Sequence, residues 1–194
     1  MYITIEGIDT AGKSTQISAL SSYYPDAIIT KEPGATAIGK EIREIVLSAK
    51  TQSKKAEFLL FLADRAEHIE EVIKPNLNKT IISDRSVVSG VAYALIQGEI
   101  SETAILHLNR FATNGIYPEK VFLLKLTKEE LEFRLSQKKL DGIELRGSEY
   151  LLNIQEALIK ASHLLNIELI EIDATQDRET ITKQILNNMK DRND

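Results

Sequence analysis

A chain of 194 residues with 43% hydrophobic and 27% charged side chains has the length and composition of one globular domain. Its net charge of −5 and pI near 5.4 exclude a generally basic nucleic-acid-binding face, and the absence of cysteine excludes disulfides, thiolate catalysis and cysteine-based zinc sites. No stretch approaches the roughly 20 apolar residues of a membrane helix, and MYITIEGID has neither the basic nor the apolar region of a secretory signal, so a cytoplasmic protein without membrane or nucleic-acid partners is expected.

In chain order, Met1–Glu6 reads as a strand and Lys13–Tyr23 as a helix. A strand at Asp26–Thr30 follows, then helices at Ala37–Ser48 and Lys54–Ile73. Thr80–Ser83 is a third strand, with helices at Val87–Ile96 and Glu102–Thr113 behind it. A fourth strand at Val121–Leu126 leads to helices at Lys128–Gln137 and Glu149–Asn166, and the Glu168–Asp173 strand to a last helix at Arg178–Asp191. Alternation of short Ile- and Val-rich runs with longer helical patterns predicts an α/β fold built from βαβ units on a parallel sheet. Pro25, Pro33, Pro75 and Pro118 all fall between elements, where they do least harm. Without a linker or repeat, residues 1–194 form a single domain, and the polar stretch Ser136–Ser148 is its most loop-like segment, a candidate lid.

The segment Gly7-Ile8-Asp9-Thr10-Ala11-Gly12-Lys13-Ser14 fits G-x-x-x-x-G-K-[ST] between a strand and a helix. Its glycines allow backbone N–H groups to turn inward as an anion-binding nest, and the helix N-terminus adds its dipole. Lys13 would reach the β- and γ-phosphates and the Ser14 hydroxyl would ligate Mg2+. Such a match arises by chance in roughly 1 of 150 such chains at ordinary glycine usage, so a nucleoside triphosphate site is expected. The N-K-x-D reader of a guanine-dependent switch is missing: Asn78-Lys79 is followed by Thr80-Ile81. A phosphotransferase then needs an acceptor site.

Three segments supply candidates for it. Thr30-Lys31-Glu32-Pro33-Gly34-Ala35-Thr36 ends the second strand, and ligands bind at the carboxyl ends of parallel strands; Arg43 follows on a helix as a phosphate partner. Phe61 and Arg65 lie four apart on one helical face, an aromatic ring beside a guanidinium. Asp84 and Arg85 end the third strand, the first placed to orient Mg2+ through water and the second to clamp a phosphate, with Ser89 and Tyr93 one turn apart beyond them.

Together GIDTAGKST, TKEPGAT, FLADR, DRSVVSGVAYA, Asn114-Gly115-Ile116-Tyr117-Pro118 and the lid remnant Leu140-Asp141-Gly142-Ile143-Glu144 resemble the thymidylate kinase (dTMP kinase) family, in that family's order. The resemblance implies a P-loop NTPase fold, a five-stranded parallel sheet flanked by helices with a short lid segment, usually a homodimer, that transfers a phosphoryl group from ATP to dTMP with Mg2+. It implies that Gly7, Ile8, Asp9, Thr10, Ala11, Gly12, Lys13, Ser14 and Thr15 hold ATP, with Arg134 against the adenine, and that Asp9 also contacts the sugar 3′-hydroxyl. Arg43 and Arg85 would hold the acceptor phosphate, Phe61 would stack on thymine and Arg65 would hydrogen-bond it. Glu32, Pro33, Ser89 and Gly90 would line the pocket, and Tyr93 would crowd the place of a ribose 2′-hydroxyl. Ser14 and Asp84 are the metal candidates, while Lys13, Arg85 and Asp84 carry the chemistry with lid cations.

The chain also departs from the family. Thr10 is neutral where some members carry a basic residue, which shifts that role to the lid, where Lys138, Lys139 and Arg146 are the candidates. Asp141-Gly142-Ile143-Glu144 lacks the arginine of the family's Asp-Arg-Ile-Glu, and Ser86, Ala94 and Lys31 replace a frequent Tyr, Gln and Arg. A pocket change of this size alters discrimination by about 1–3 kcal/mol, so another pyrimidine monophosphate such as dUMP stays open as acceptor; from a different class, so does a nucleotide-dependent switch. The His68, His107 and His163 positions lack metal-ligand spacing and read as surface or satisfied histidines. Apolar residues at Phe58–Ala63 and Val87–Ile96 serve either core or dimer interface.

Overall fold

Five short runs rich in Ile, Val and Leu pair as the strands β1 (Tyr2–Glu6), β2 (Ile28–Lys31), β3 (Ile81–Asp84), β4 (Lys120–Lys125) and β5 (Glu168–Asp173). A computed structural model describes residues 1–48, 51–137 and 144–189. All pairings are parallel, in the order β2-β3-β1-β4-β5. The central β1 is buried along its whole length, as a strand covered on both faces must be. Ile3, Ile5, Phe122, Leu123 and Leu124 lie in the core cluster that β1 and β4 share with α4 and α7.

The helices are α1 (Lys13–Tyr23), α2 (Ala37–Leu47), α3 (Lys54–His68), α4 (Val87–Gln97), α5 (Glu102–Thr113), α6 (Lys128–Ser136), α7 (Ser148–Leu164) and α8 (Arg178–Met189). Side-chain caps set the starts of several: Thr36, Ser53, Ser86, Ser101 and Thr127 each accept a backbone N–H two or three residues on. Helix α1 starts differently, on Gly12 at φ 96° with no side-chain cap, so its first N–H groups are left for a ligand.

Most boundaries fall within a residue or two of the sequence expectation. The exception is the helix expected over Lys54–Ile73, which stops being α-helical at His68 and continues as a π turn over Ile69–Ile73 and a 3-10 turn over Lys74–Asn76. Pro75 has no N–H for the Glu71 carbonyl and its ring would strike it, and the winding widens ahead of it, with Lys74 N–H donating to Ile69 O. Residues 138–143 of the candidate lid lie outside the described residues, as does the end of the last expected helix beyond Met189.

The neighbours of β1 are β3 on one side and β4 on the other, so the chain reverses its direction of sheet-building there. Ligands bind in α/β sheets outside the carboxyl ends of strands at such a switch point. The loops that leave β1, β3 and β2 carry Gly7–Gly12, Arg85–Ser86 and Glu32–Thr36 to that edge.

Candidate active site

The phosphate loop turns tightly against the sheet. A Cβ on Gly7, at φ 152°, would lie 3.0 Å from the Leu124 carbonyl oxygen, so only glycine fits. Ala11 N–H closes the loop on Ile8 O at 3.2 Å. Lys13 Nζ donates to Gly7 O (3.0 Å) and Ile8 O (3.1 Å), bonds that curl the ammonium over the loop it belongs to. Burial, and after it the nearby Arg85 charge, bring the Lys13 pKa down to about 8 against the pull of Asp9. Ser14 and Thr15 stand exposed on the first turn of α1. Thr10 adopts a left-handed φ of 70° and its Oγ1 is buried without a hydrogen-bond partner. Arg134 of α6 braces the loop from outside, donating from Nη1 to Thr10 O (3.0 Å), from Nη2 to Ala174 O (2.7 Å) and from Nε to Glu130 (2.6 Å).

Beside this loop the end of β3 brings acid and base together. Arg85 sits at φ 67°, a left-handed conformation that a non-glycine residue holds only under constraint. That constraint comes from its own N–H donating to Ile5 O (3.1 Å) and its carbonyl accepting from Ser83 Oγ (2.6 Å). The side chain reaches Asp9 Oδ1 at 2.9 Å and Ser89 Oγ at 3.1 Å. Asp9 Oδ1 lies 3.8 Å from Lys13 Nζ as well, so one carboxylate separates two cations. Burial works against the Arg85 charge, but Tyr93, Asp9, Glu6 and Asp84 outweigh it and raise its pKa.

Asp84 Oδ1 is buried with no hydrogen-bond partner among the described residues, an arrangement that costs free energy unless something positive faces it. With Ser14 it lines an open cleft of about 570 Å3 that runs along α1 past Ser18, Thr30 and Gly34. Phe61 and Tyr93 are not on that cleft. No group of three or more His, Asp or Glu is gathered among the described residues. Mg2+ ordinarily keeps several waters and takes few protein ligands beside substrate phosphates, so the Ser14 hydroxyl, with the Asp84 carboxylate reached through water, fits that ion.

The acceptor side is built from β2, α2, α3 and α4. The Glu32–Pro33 peptide is cis, and Arg43 Nη1 donates to Pro33 O at 2.9 Å, tying α2 to the loop. Glu32 is buried between two donors: Arg65 Nε at 2.9 Å and His68 Nδ1 at 2.9 Å. Burial alone would raise the Glu32 carboxyl, yet Arg65 and His68 hold it below its ordinary value. His68 Nε2 shares a 2.7 Å hydrogen bond with Thr30 Oγ1, so this histidine is a satisfied one. Phe61 is half-buried one turn before Arg65, whereas Arg65 is buried. Ser89 and Gly90 follow on α4, and Tyr93 is the ring over which Arg85 lies, 5.9 Å from its centroid. Burial pushes the Tyr93 phenol up to about 12, so it stays neutral.

Three groups at the site carry no signal that motif reading uses. Glu6 is fully buried and accepts from Ser86 Oγ (3.1 Å), Ser89 N–H (3.3 Å) and Ser89 Oγ (2.6 Å), and burial raises its pKa. Outside any motif, the sequence marks it only as the one charged residue of β1, one residue before the phosphate loop. Asn109 reaches Arg65 from α5, and Asp64 of α3 accepts from Gly34 N–H at 2.9 Å. Of the lid candidates, Lys138 and Lys139 lie outside the described residues, and Arg146 stacks on Tyr150 at 3.6 Å from the ring centroid. Ala94, in the place of a pocket glutamine, is packed in the core.

The thymidylate kinase family profile matches residues 5–185. The chain is 79% identical over 189 residues to the thymidylate kinase of Sulfurimonas denitrificans, covering 97% of this chain and 99% of that one. It is 56% identical to the thymidylate kinase of Aliarcobacter butzleri over 185 residues, 95% of this chain and 96% of the other. In structure it matches the thymidylate kinase of Ehrlichia chaffeensis with a TM-score of 0.74 at 25% identity, over 97% of each chain. Phosphate loop, switch-point geometry and near-complete coverage agree: the chain belongs to the thymidylate kinase family.

Proposed function

We propose that this enzyme transfers the γ-phosphoryl group of ATP to dTMP, giving dTDP and ADP. The observation that carries the reading is the Asp9 carboxylate shared by Arg85 at 2.9 Å and Lys13 at 3.8 Å. One cation belongs to a triphosphate loop and the other to the acceptor side, so two anionic phosphates would meet between them. The triphosphate would take up the N–H groups of Gly7–Thr15 and displace Lys13 from Gly7 O and Ile8 O. Arg134, held beside Thr10, would border the adenine.

On the acceptor side, Phe61 would stack on the base and Arg65 would donate to it. Glu32, Pro33, Ser89 and Gly90 would wall the pocket, Tyr93 would face the sugar, and Arg43 with Arg85 would hold the phosphate. A phosphate monoester has a second pKa near 6, so the attacking oxygen is already anionic at neutral pH and no general base is required. Catalysis then consists of alignment and charge neutralisation. Lys13 and Arg85 neutralise the transferred group from opposite sides, joined by Lys138, Lys139 or Arg146 from the lid. Mg2+, held by Ser14 and through water by Asp84, supplies further neutralisation when bound.

Two finer readings accompany this one. The enzyme works in the cytoplasm, in keeping with the absence, among described residues, of any helix long and apolar enough to cross a membrane. It works as a homodimer, supported by exposed apolar side chains on α2, α3 and α5. The test is an ADP-release assay with Mg·ATP and, separately, dTMP, dUMP, the ribose form of TMP, thymidine or no acceptor. Release with dTMP well above every other acceptor is expected. Equal release with all monophosphates would overturn the named substrate, and slow release indifferent to acceptor would point to a switch.

A further inference from the structure

Arg65 is 3% exposed, and a guanidinium so deeply buried is costly unless its donors are matched. Glu32 takes Nε at 2.9 Å and supplies the opposite charge. The second partner comes from a different element: Asn109 Oδ1 on α5 accepts from Nη1 at 2.8 Å. Asn109 is itself 0% exposed, and its Nδ2 donates to Ile105 O at 2.8 Å. Because Arg65 offers only donors and Ile105 O only accepts, the orientation of the amide is determined. A buried asparagine inside a helix has no local gain to justify it, and its carbonyl serves Arg65.

A third element closes the cage. A Cβ on Gly90 would stand 2.8 Å from Arg65 Nη1 and 2.9 Å from Cζ, with Nη2 closer still. The Nη edge of the guanidinium therefore packs against α4 at Gly90, on ground that any larger residue would occupy. The hydrogen bonds of the described residues use Nε and Nη1 and leave Nη2 for a ligand.

We infer that Asn109 is a positioning residue for acceptor specificity: by holding Nη1 of Arg65, it fixes the plane in which Nη2 is offered to a carbonyl oxygen on the pyrimidine ring. This rests on Arg65 being the base contact. Such a donor favours a ring carbonyl over a ring amino group, which would present hydrogens to it. Freed from Asn109, the guanidinium keeps its charge and its Glu32 partner but loses one fixed angle, so binding weakens and discrimination falls.

The experiment measures KM for dTMP and for ATP, and kcat/KM for dTMP against dCMP, in wild type, Asn109→Leu, Asn109→Ser, Arg65→Ala and the Arg65→Ala/Asn109→Leu double variant. The serine variant guards against a leucine that fails to fold, since its hydroxyl can still bond Ile105 O but is too short to reach Arg65. Loss of a hydrogen bond to a charged group predicts a rise of about tenfold in the dTMP KM. An ATP KM within about twofold of wild type and a fall of similar size in the dTMP-over-dCMP preference are also expected. The double variant should be no worse than Arg65→Ala, because the asparagine acts through the arginine. Equal rises in both KM values, or additive losses in the double variant, would overturn the role. If Arg65→Ala raises the dTMP KM while neither Asn109 variant does, Asn109 falls and Arg65 stands; if Arg65→Ala leaves it unchanged, both fall.

Discussion

Lys13 and Arg85 approach the same oxygen of Asp9, and that contact fixes how the phosphate loop should respond to pH. Burial disfavours the charged lysine, and the neighbouring Arg85 cation adds its repulsion; between them they bring Lys13 down to about 8. A triphosphate binds the protonated lysine, and by linkage it must raise the lysine pKa as it binds. Affinity for ATP is thus fully present below about 8 and falls as the pH rises through that value. We expect log kcat/KM for ATP to be flat from pH 6.5 to 7.5 and to drop by about one unit per pH unit above the Lys13 pKa. A profile level to pH 10 would show that the lysine keeps its proton without the nucleotide. Arg85, held positive with its pKa raised, contributes no such break.

Besides the bonds of Glu32 to Arg65 and His68, the joint between α3 and the loop after β2 is held by the Asp64 carboxyl group. Asp64 accepts from Gly34 N–H at 2.9 Å, and burial raises its pKa to about 6, against a smaller lowering by that hydrogen bond. A carboxyl whose folded pKa lies above its unfolded value binds protons more tightly when folded, so its contribution to stability declines as pH rises from the unfolded value to about 6. Asp64→Asn keeps an acceptor for Gly34 and carries no charge. Its Tm should equal or exceed that of wild type at pH 8, with the advantage shrinking as pH falls below about 6. A variant markedly less stable at pH 8 would show that the ionised form is the one the joint requires. This joint also shows what a linear chain reveals. The strands and helices were legible because short Ile- and Val-rich runs alternate with longer helical patterns, and Gly7–Ser14 announces its own geometry. The π turn at Ile69–Ile73 was not legible, since Pro75 indicates where a helix must yield but not how. Nor were Glu6 with Ser89, or Arg65 with Asn109, because each pair is joined only after separate elements pack.

At the scale of the whole molecule, the outward apolar surface divides the helices in a way their sequences do not. Helix α4 is far more apolar than α3, yet Val87, Val88, Val91, Ala92 and Ala94 are all buried in the core. Helix α3, between α2 and α5, turns Phe58 and Leu62 inward and leaves Leu59 57% exposed. On α5, Leu108 and Phe111 lie three apart on one face, and Phe111 is 83% exposed. Ile38 and Ile45 extend the apolar surface onto α2. In the proposed homodimer, these apolar side chains from three helices would supply the contact surface. An isologous pairing of two copies would cover this surface on both at once. Sedimentation velocity at micromolar concentration should therefore give twice the 21.8 kDa of the chain. Phe111→Glu, which would bury an unpaired charge in that contact, should give the monomer with an unchanged circular dichroism spectrum, since the ring is 83% exposed in the single chain. A wild-type monomer at these concentrations, or a Phe111→Glu chain that still sediments as a dimer, would move the contact elsewhere.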